Sequence, residues 1–388
     1  MTSGSRGPRL LRRAAVAVAA LVVVGALLAP AVAPAIEGLI FSGSVFVDQW
    51  GFPQEGDPSK SSAQGLAPMA SMKVGGDVND NLSFSAKACI SCHGMDFEHI
   101  SLDYQPRTWF NVQAGRIAVP FGDFSNRVDP TSYRAGSQPL IFDMGRMAYG
   151  SRSAMNLGVL PMPYVDTGAM VYGVRWLGSR IQGWYGAYGV SGLRGSNDID
   201  WMAMHSAPYG DNNGKPSYGG RVTFSYASDA GDFIGDWSLG GSYLGGTYDK
   251  SGKLRYEVWG ADATFRLSGL ILRGEYASRK TDLDPAATGY PYALVDPFFT
   301  KSGFYAEAEH PLGKYLNVVY RYDWMDRRGT PLPGSPPQMT DQSLYKRYTI
   351  GAAITPAQNT VVKVSYEYWD TSDFGKFPTY HAGIGGAF

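Results

Sequence analysis

Apolar and polar side chains alternate strictly in many short segments of the chain, which is the pattern of β-strands. In segment 360–368, valines and tyrosines at even positions alternate with Lys363, Ser365 and Glu367. Two more segments alternate in the same way: Leu316, Val318, Tyr320, Tyr322 and Trp324 oppose Asn317, Arg321 and Asp323, and Phe304, Ala306 and Ala308 oppose Tyr305, Glu307 and Glu309. A face this rich in charge does not suit a soluble sandwich core. It predicts an all-β, transmembrane antiparallel barrel with a polar lumen.

The alternating segments give a count of about sixteen strands. They lie near 38–48, 65–76, 81–88, 98–105, 109–118, 166–177, 180–191, 218–227, 236–247, 253–267, 270–281, 300–310, 314–325, 344–355, 359–369 and 377–388. Longer polar connections are predicted near 52–64, 119–165, 192–217, 282–299, 326–343 and 370–377. An even count places both chain ends at the same end of the barrel, where outer-membrane barrels have their tight periplasmic turns.

The N-terminus reads as a secretory signal over residues 1–35, which leaves 36–388 as the barrel. Four arginines between Arg6 and Arg13 precede an apolar run from Ala14 to Leu28 that is short for a membrane span. Ala33-Pro34-Ala35 offers small residues for cleavage after Ala35. An uncleaved anchor is the alternative. Export of this kind predicts the outer membrane of a Gram-negative bacterium.

The composition agrees with an exported β protein and excludes other classes. The 34 basic and 34 acidic residues balance, so the chain has no basic surface for nucleic acid. Glycine, at 49, and tyrosine, at 25, are abundant. Two cysteines are too few for a disulfide framework.

The longest predicted connection, 119–165, follows the fifth strand and is rich in proline, glycine, arginine and methionine. Connections of this length in compact folds are usually functional. We expect it to fold into the lumen, and the alternative is a solvated external loop. The residues predicted to line a pore constriction are Arg127, Arg134, Arg146, Arg152 and Asp123, with Asp129 and Asp143 beside them.

Several segments resemble the porin O/P-like family of sixteen-stranded, anion-selective barrels. The resemblance rests on Leu82–Ala88, Ile100–Tyr104, the run Asn111-Val112-Gln113-Ala114-Gly115-Arg116, and Val119-Pro120-Phe121-Gly122. It implies a loop after the fifth strand that narrows the lumen, and often a homotrimer. Those porins guide phosphate with lysine and arginine ladders. The lumen charges of this chain are mixed, which departs from that pattern.

One motif does not belong to a plain barrel. Cys89-Ile90-Ser91-Cys92-His93 holds both cysteines of the chain and has the spacing of covalent c-type haem attachment. Two thiols at this spacing add to the haem vinyl groups, and the adjacent imidazole ligates the iron. We expect one haem c, bound through Cys89, Cys92 and His93, within an insertion at 89–93. The strand phase points Cys89 into the lumen at the outer end of the barrel, and a strand count different by one would put it at the periplasmic end instead.

The second iron ligand is less determined than His93. His99 has lumen phase and is a possible distal ligand, whereas Met95 is too near in sequence to cross the haem. Other candidates by reach alone are His205, Met144, Met147, Met155 and Met162. Two alternatives to haem stay open: a metal site of Cys89, Cys92, His93 and His99, or a disulfide or free thiols.

These features together predict a haem-carrying outer-membrane porin that takes part in electron transfer. The idea resembles the fused cytochrome–porins of iron-oxidising bacteria, although there the haem segment precedes the barrel. One haem does not span a hydrocarbon layer of about 30 Å, so periplasmic or extracellular cytochromes or metal ions would be its partners. The alternative is a passive diffusion porin for small ions and solutes. An enzyme, such as a peroxidase using His99, has no further support in the sequence.

Overall fold

The chain forms a closed antiparallel barrel of sixteen strands. The computed structural model describes residues 38–54, 57–91, 94–142, 158–195, 211–229, 232–288, 290, 293–329, 339–340, 342–372 and 375–388. The strands are β1 Ile40–Gln54, β2 Asp57–Asn79, β3 Leu82–Ser91, β4 Gly94–Arg107, β5 Phe110–Ala118, β6 Val165–Leu177, β7 Ile181–Val190, β8 Ser217–Tyr226, β9 Ile234–Thr247, β10 Arg255–Leu267, β11 Leu270–Asp282, β12 Phe298–Leu312, β13 Leu316–Arg328, β14 Ser343–Ile354, β15 Thr360–Thr371 and β16 Gly375–Ala387. Within these ranges, no helix is both long and apolar enough to cross a membrane.

Each strand pairs with its sequence neighbours, and β1 closes the ring against β16. At the seam the backbones of Gly43 and Phe388 exchange two 2.9 Å hydrogen bonds. The predicted fold class and strand count are confirmed. The prediction of a long connection over 52–64 is wrong, because β1 and β2 continue as a hairpin to Gln54 and Asp57. Residues 52–64 are mostly polar, but strand pairing depends on backbone hydrogen bonds, which polar side chains do not interrupt.

The outer face of the barrel is apolar. Tyr320, Ile350 and Val364 are each about half exposed on the outer surface, at 52%, 48% and 50%. Their inward neighbours on the same strands, Arg321 and Lys363, are almost completely buried. An apolar band of this kind around a closed barrel is the surface that faces lipid.

The connection after β5 enters the lumen, as predicted. Two 3-10 turns, Phe124–Arg127 and Leu140–Phe142, shape it. Its residues Phe121, Ile141 and Leu160 are fully buried, in one apolar cluster with Tyr305 and Trp369 of the wall. We call residues 119–142 and 158–164 the in-folded segment. This segment gives the barrel an apolar core of its own inside the lumen.

The described residues of the haem motif, Cys89–Ser91, lie at the end of the barrel opposite the start of β1 and the end of β16. β3 ends at Ser91 and β4 begins at Gly94, so the predicted connection Cys89–Glu98 is mostly strand. The pairing shifts by one residue between Lys87 and Ala88, where Glu98 is the extra residue of a β-bulge. The part of β4 that precedes Ile100 in the chain does not pair with β5. The Arg116 side chain, of β5, donates a 2.7 Å hydrogen bond to the Phe97 carbonyl across this gap.

Candidate functional site

The charged lumen face of β13–β15 binds the backbone of the in-folded segment. Arg321 donates to the Ser137 carbonyl at 2.9 Å, and Arg347 donates to that of Gln138. The Leu140 amide donates to Asp323 at 2.8 Å. Arg321, Asp323 and Arg347 are 3% exposed or less. Since buried charges need partners, the segment's peptide groups replace the water that the alternating pattern led us to expect here.

Glu367 of β15 joins the segment to the barrel seam. It accepts hydrogen bonds from Ser137 of the segment and, at 3.0 Å, from Thr379 of β16. Its carboxylate is 3.4 Å from Nε2 of His381, whose Nδ1 is 3.6 Å from Asp48 of β1. One buried polar network therefore connects β1, β16, β15 and the segment.

Three predicted constriction residues lie inside the lumen. Arg127 is 3.3 Å from Asp123 and 3.7 Å from Glu307, and it donates to the Tyr305 hydroxyl. Arg134 is 3.5 Å from Glu309. Arg146, Arg152 and Asp143 lie outside the described residues. Sequence phase alone put Glu307 and Glu309 in the lumen, and the structure shows both of them paired with arginines there.

The segment enters the lumen through one very close approach. Gly122 has a φ of +70°, and a Cβ there would lie 1.4 Å from a Glu275 carboxylate oxygen. Its amide donates to Ser242 at 3.1 Å, and the Phe124 amide donates to Glu275 at 3.2 Å. Only glycine fits this position, so the chain turns inward directly against the wall.

Around the haem motif, the structure describes one of its three cofactor residues. Cys89 is a half-buried free thiol, hydrogen-bonded to Glu98. Glu98 also lies 2.5 Å from Lys87. Cys92 and His93 lie outside the described residues. These contacts place the Cys89 side chain on the lumen side, as the alternation along β3 predicts.

The candidate iron ligands differ in where the structure places them. His99 is half-buried on β4, opposite Lys87 and on the lumen side. Met162 is 4% exposed and packs in the apolar cluster of the in-folded segment, which leaves its sulfur no open side. Met95 is 43% exposed and pairs with outward-facing Ile90. His205, Met144, Met147 and Met155 lie outside the described residues.

No group of three metal-ligating side chains occurs in the described part of the chain. The metal alternative stays a prediction, because Cys92 and His93 lie outside that part. The contact of Glu98 with Cys89 and Lys87 was missed from the sequence. Its cause is the β-bulge, which carries no signal in the alternation.

Open space remains at the short-turn end of the lumen. One cavity of about 700 Å³ lies between the in-folded segment at Arg134 and the turns at Lys314 and Gln358. A second, of about 370 Å³, is lined by Gln182, Asp236 and other polar residues of β6–β10. Arg134 and Lys314 contribute positive charge to the first cavity, and Arg180 and Arg266 contribute it to the second, beside aromatic and aliphatic side chains in both.

Comparison with known proteins supports the architecture. No protein-family model and no curated protein matches the chain. Solved structures do match in fold. An anion-selective porin from Comamonas acidovorans gives a TM-score of 0.56 at 14% identity, over 90% of this chain and 99% of that chain. Salmonella typhi OmpF, in complex with daunomycin, gives 0.55 at 16% identity, over 90% and 97%.

A third similar structure is OmpT of Vibrio cholerae in a trimer form, with a TM-score of 0.51 at 11% identity, over 90% of this chain and 98% of that chain. At these identities the likeness concerns the fold. The chain therefore has the fold of bacterial outer-membrane porins, and the particular resemblance to the porin O/P-like family stays a prediction.

Proposed function

We propose that the chain is an outer-membrane porin that carries one covalent c-type haem and takes part in electron transfer at or across that membrane. The barrel supplies a polar lumen narrowed by the in-folded segment, with Arg127, Asp123 and Arg134 at the constriction. Arg146 and Arg152 belong to the same proposal. The haem motif supplies the redox centre.

A single observation carries the haem part of the proposal: the Cys89-Ile90-Ser91-Cys92-His93 motif, whose first residue lies on the lumen side at one end of the barrel. In haem attachment, each thiol sulfur bonds to a vinyl carbon and its hydrogen goes to the other vinyl carbon, so the addition needs no oxidant. His93 would ligate the iron and His99 is the distal candidate. Bound haem would supply one-electron redox chemistry.

The proposal also includes electron-transfer partners. One haem at one mouth does not bridge about 30 Å of hydrocarbon. Periplasmic or extracellular cytochromes, or metal ions, would therefore complete the path. A homotrimer is part of the proposal, supported by the trimer form of the Vibrio cholerae protein with this fold.

The test is a visible spectrum and a haem stain after denaturing electrophoresis. The parent chain should show a Soret band and a stained band, and both Cys89→Ser and Cys92→Ser should lose the stain while still folding. Ser91→Ala, between the two cysteines, is the matched control and should keep it. A colourless parent, or stain that persists without both cysteines, contradicts haem attachment.

The second candidate function is that of a passive diffusion porin. The two open cavities at the short-turn end of the lumen support this function. Single-channel recording separates the two. A conducting barrel without haem supports the diffusion porin. A haem-loaded barrel that a soluble cytochrome or metal ion reduces and reoxidises supports electron transfer.

A further inference from the structure

The two halves of the lumen wall differ in what covers them. On β11–β14 the inward Arg279, Lys301 and Arg347 are 0% exposed. Arg279 donates to the Val159 carbonyl at 2.8 Å and Lys301 donates to that of Gly158 at 3.3 Å. The in-folded segment thus occupies this side of the lumen and seals its charges from water.

Ser101, Asn111 and Arg116 of β4 and β5 are buried, but other inward side chains of β2–β5 remain accessible. We call them the open wall: Lys73, Ser85, Lys87, His99, Asp103 and Gln113, none of which is classed as buried. The Lys73 side chain is exposed and lies opposite Lys87 in the β2–β3 ladder. Among the described residues, the open wall is therefore the side of the lumen that stays accessible to water at this level.

The in-folded segment approaches the open wall at Asp129. This carboxylate accepts hydrogen bonds from Ser44 of β1, at 2.7 Å, and Ser71 of β2, at 3.4 Å. Ser71 lies directly opposite Cys89 in the β2–β3 ladder, so Asp129 lies beside this part of β3. The segment and the open wall thus meet beside the Lys87–Glu98 ion pair.

We propose that Asp129, Lys87, Glu98 and Cys89 together border the permeation path, so that a group carried covalently on Cys89 reduces flow through the barrel. The regulatory part rests on the proposed function, since haem is the group expected on Cys89. The attached haem and the permeating solutes would then occupy the same space. A barrel that carries haem would therefore conduct less than the same barrel without haem.

The test uses the native thiol as its probe and needs no haem. Cys92→Ser leaves Cys89 as the one reactive cysteine. A methanethiosulfonate reagent bearing a trimethylammonium group forms a disulfide with the Cys89 sulfur as methanesulfinate leaves, and intact mass follows the labelling to completion. We expect labelling to lower single-channel conductance by roughly half, and a reducing agent to restore it.

The control places the same adduct on the lipid side of the same strand. Ala86→Cys, in a chain with both native cysteines replaced by serine, lies opposite the lipid-facing Ile100. Its labelling should leave conductance unchanged. An equal fall in the control would mean distortion of the barrel rather than obstruction, and would overturn the proposal.

Three further results would overturn it: complete labelling of Cys89 with unchanged conductance, a folded barrel whose Cys89 never labels, or a parent that does not conduct. Failure of haem attachment is a separate result, read from the stain. A colourless protein whose conductance still falls on labelling keeps the permeation path and removes the haem.

Discussion

Asp323 accepts a 2.8 Å hydrogen bond from the backbone amide of Leu140, which lies 183 residues earlier in the chain. The same carboxylate is 3.0 Å from the guanidinium groups of Arg321 and Arg347. Both arginines in turn donate to carbonyls of the in-folded segment. Asp323 therefore both neutralises the wall arginines and holds the segment against them.

Replacing Asp323 by alanine should destabilise the barrel by about 3–5 kcal/mol, because it leaves two buried guanidinium groups without their shared carboxylate. Unfolding in urea from lipid vesicles, followed by tryptophan fluorescence, measures this loss. Asp323→Asn keeps an acceptor for the Leu140 amide and should lower the loss only in part. Equal stability of Asp323→Ala and the parent would show that the segment does not depend on this contact.

Gly136 is a second place, after Gly122, where the segment has no room for a side chain. A Cβ at this position would lie 2.5 Å from Cβ of His381 and 3.2 Å from the Ser365 hydroxyl. We expect Gly136→Val to push the segment off the wall, changing single-channel conductance and increasing open-channel noise. Gly241→Ala is the control, because a Cβ there meets nothing within 4 Å. Matching traces from both variants would contradict the tight docking.

Asp249 organises the connection between β9 and β10. Burial acts to raise the pKa of its carboxyl, but hydrogen bonds from the Ser251 side chain and from the Leu254 and Lys253 amides, the last two at 2.8 Å, hold the pKa below its usual value. A lowered folded-state pKa gives stability that is complete above the unfolded pKa of about 3.9 and lost as the pH falls through the folded value.

Asp249→Asn should therefore speed hydrogen exchange of the Lys253 and Leu254 amides at neutral pH by roughly five- to tenfold, equivalent to about 1 kcal/mol. After correction for intrinsic rates, the difference from the parent should shrink as the pH falls below about 4. A difference that stays constant through this range would mean that the carboxylate charge is not the cause.

The lipid-facing surface gives the fourth prediction. Val364, in the middle of β15, is 50% exposed on the outer face, and Val364→Arg should cost about 2–4 kcal/mol in a bilayer. Ile354, at the end of β14, is 44% exposed, and the same change there should cost only about 0–1 kcal/mol. Reversible unfolding of the two variants in lipid vesicles measures their free energies of unfolding, and the two losses can then be compared. Equal costs would contradict a bilayer centred on the barrel.

The fold was predictable because lipid and lumen impose opposite demands on neighbouring side chains. Val364 and Lys363 differ by one position and face different surroundings, so the alternation recorded both the strands and their inner faces. Only the extent of a hairpin such as β1–β2 was missed, since pairing of the backbone beyond the apolar band leaves no pattern in the side chains.

The site was less predictable, because its contacts use groups that the sequence does not distinguish. Arg347 binds the carbonyl of Gln138, and every residue has a carbonyl. The alternation along β14 placed Arg347 on the inner face, but it gave no sign that the in-folded segment would exclude water from this arginine. Likewise, the bulge at Glu98 depends on the pairing of two strands and is invisible along one.

The apolar cluster within the lumen has a consequence for assembly. Phe121 lies against Gly260 of β10, and the cluster that holds Phe121 and Leu160 also includes Tyr305 of β12 and Trp369 of β15, which follow later in the chain. The ring in turn closes only when β1 meets β16, where Asp48 faces His381. Insertion into the bilayer and packing of the interior apolar cluster therefore belong to one late, concerted event. An intermediate arrested before closure would expose apolar surface both on its lipid-facing side and on its lumen side.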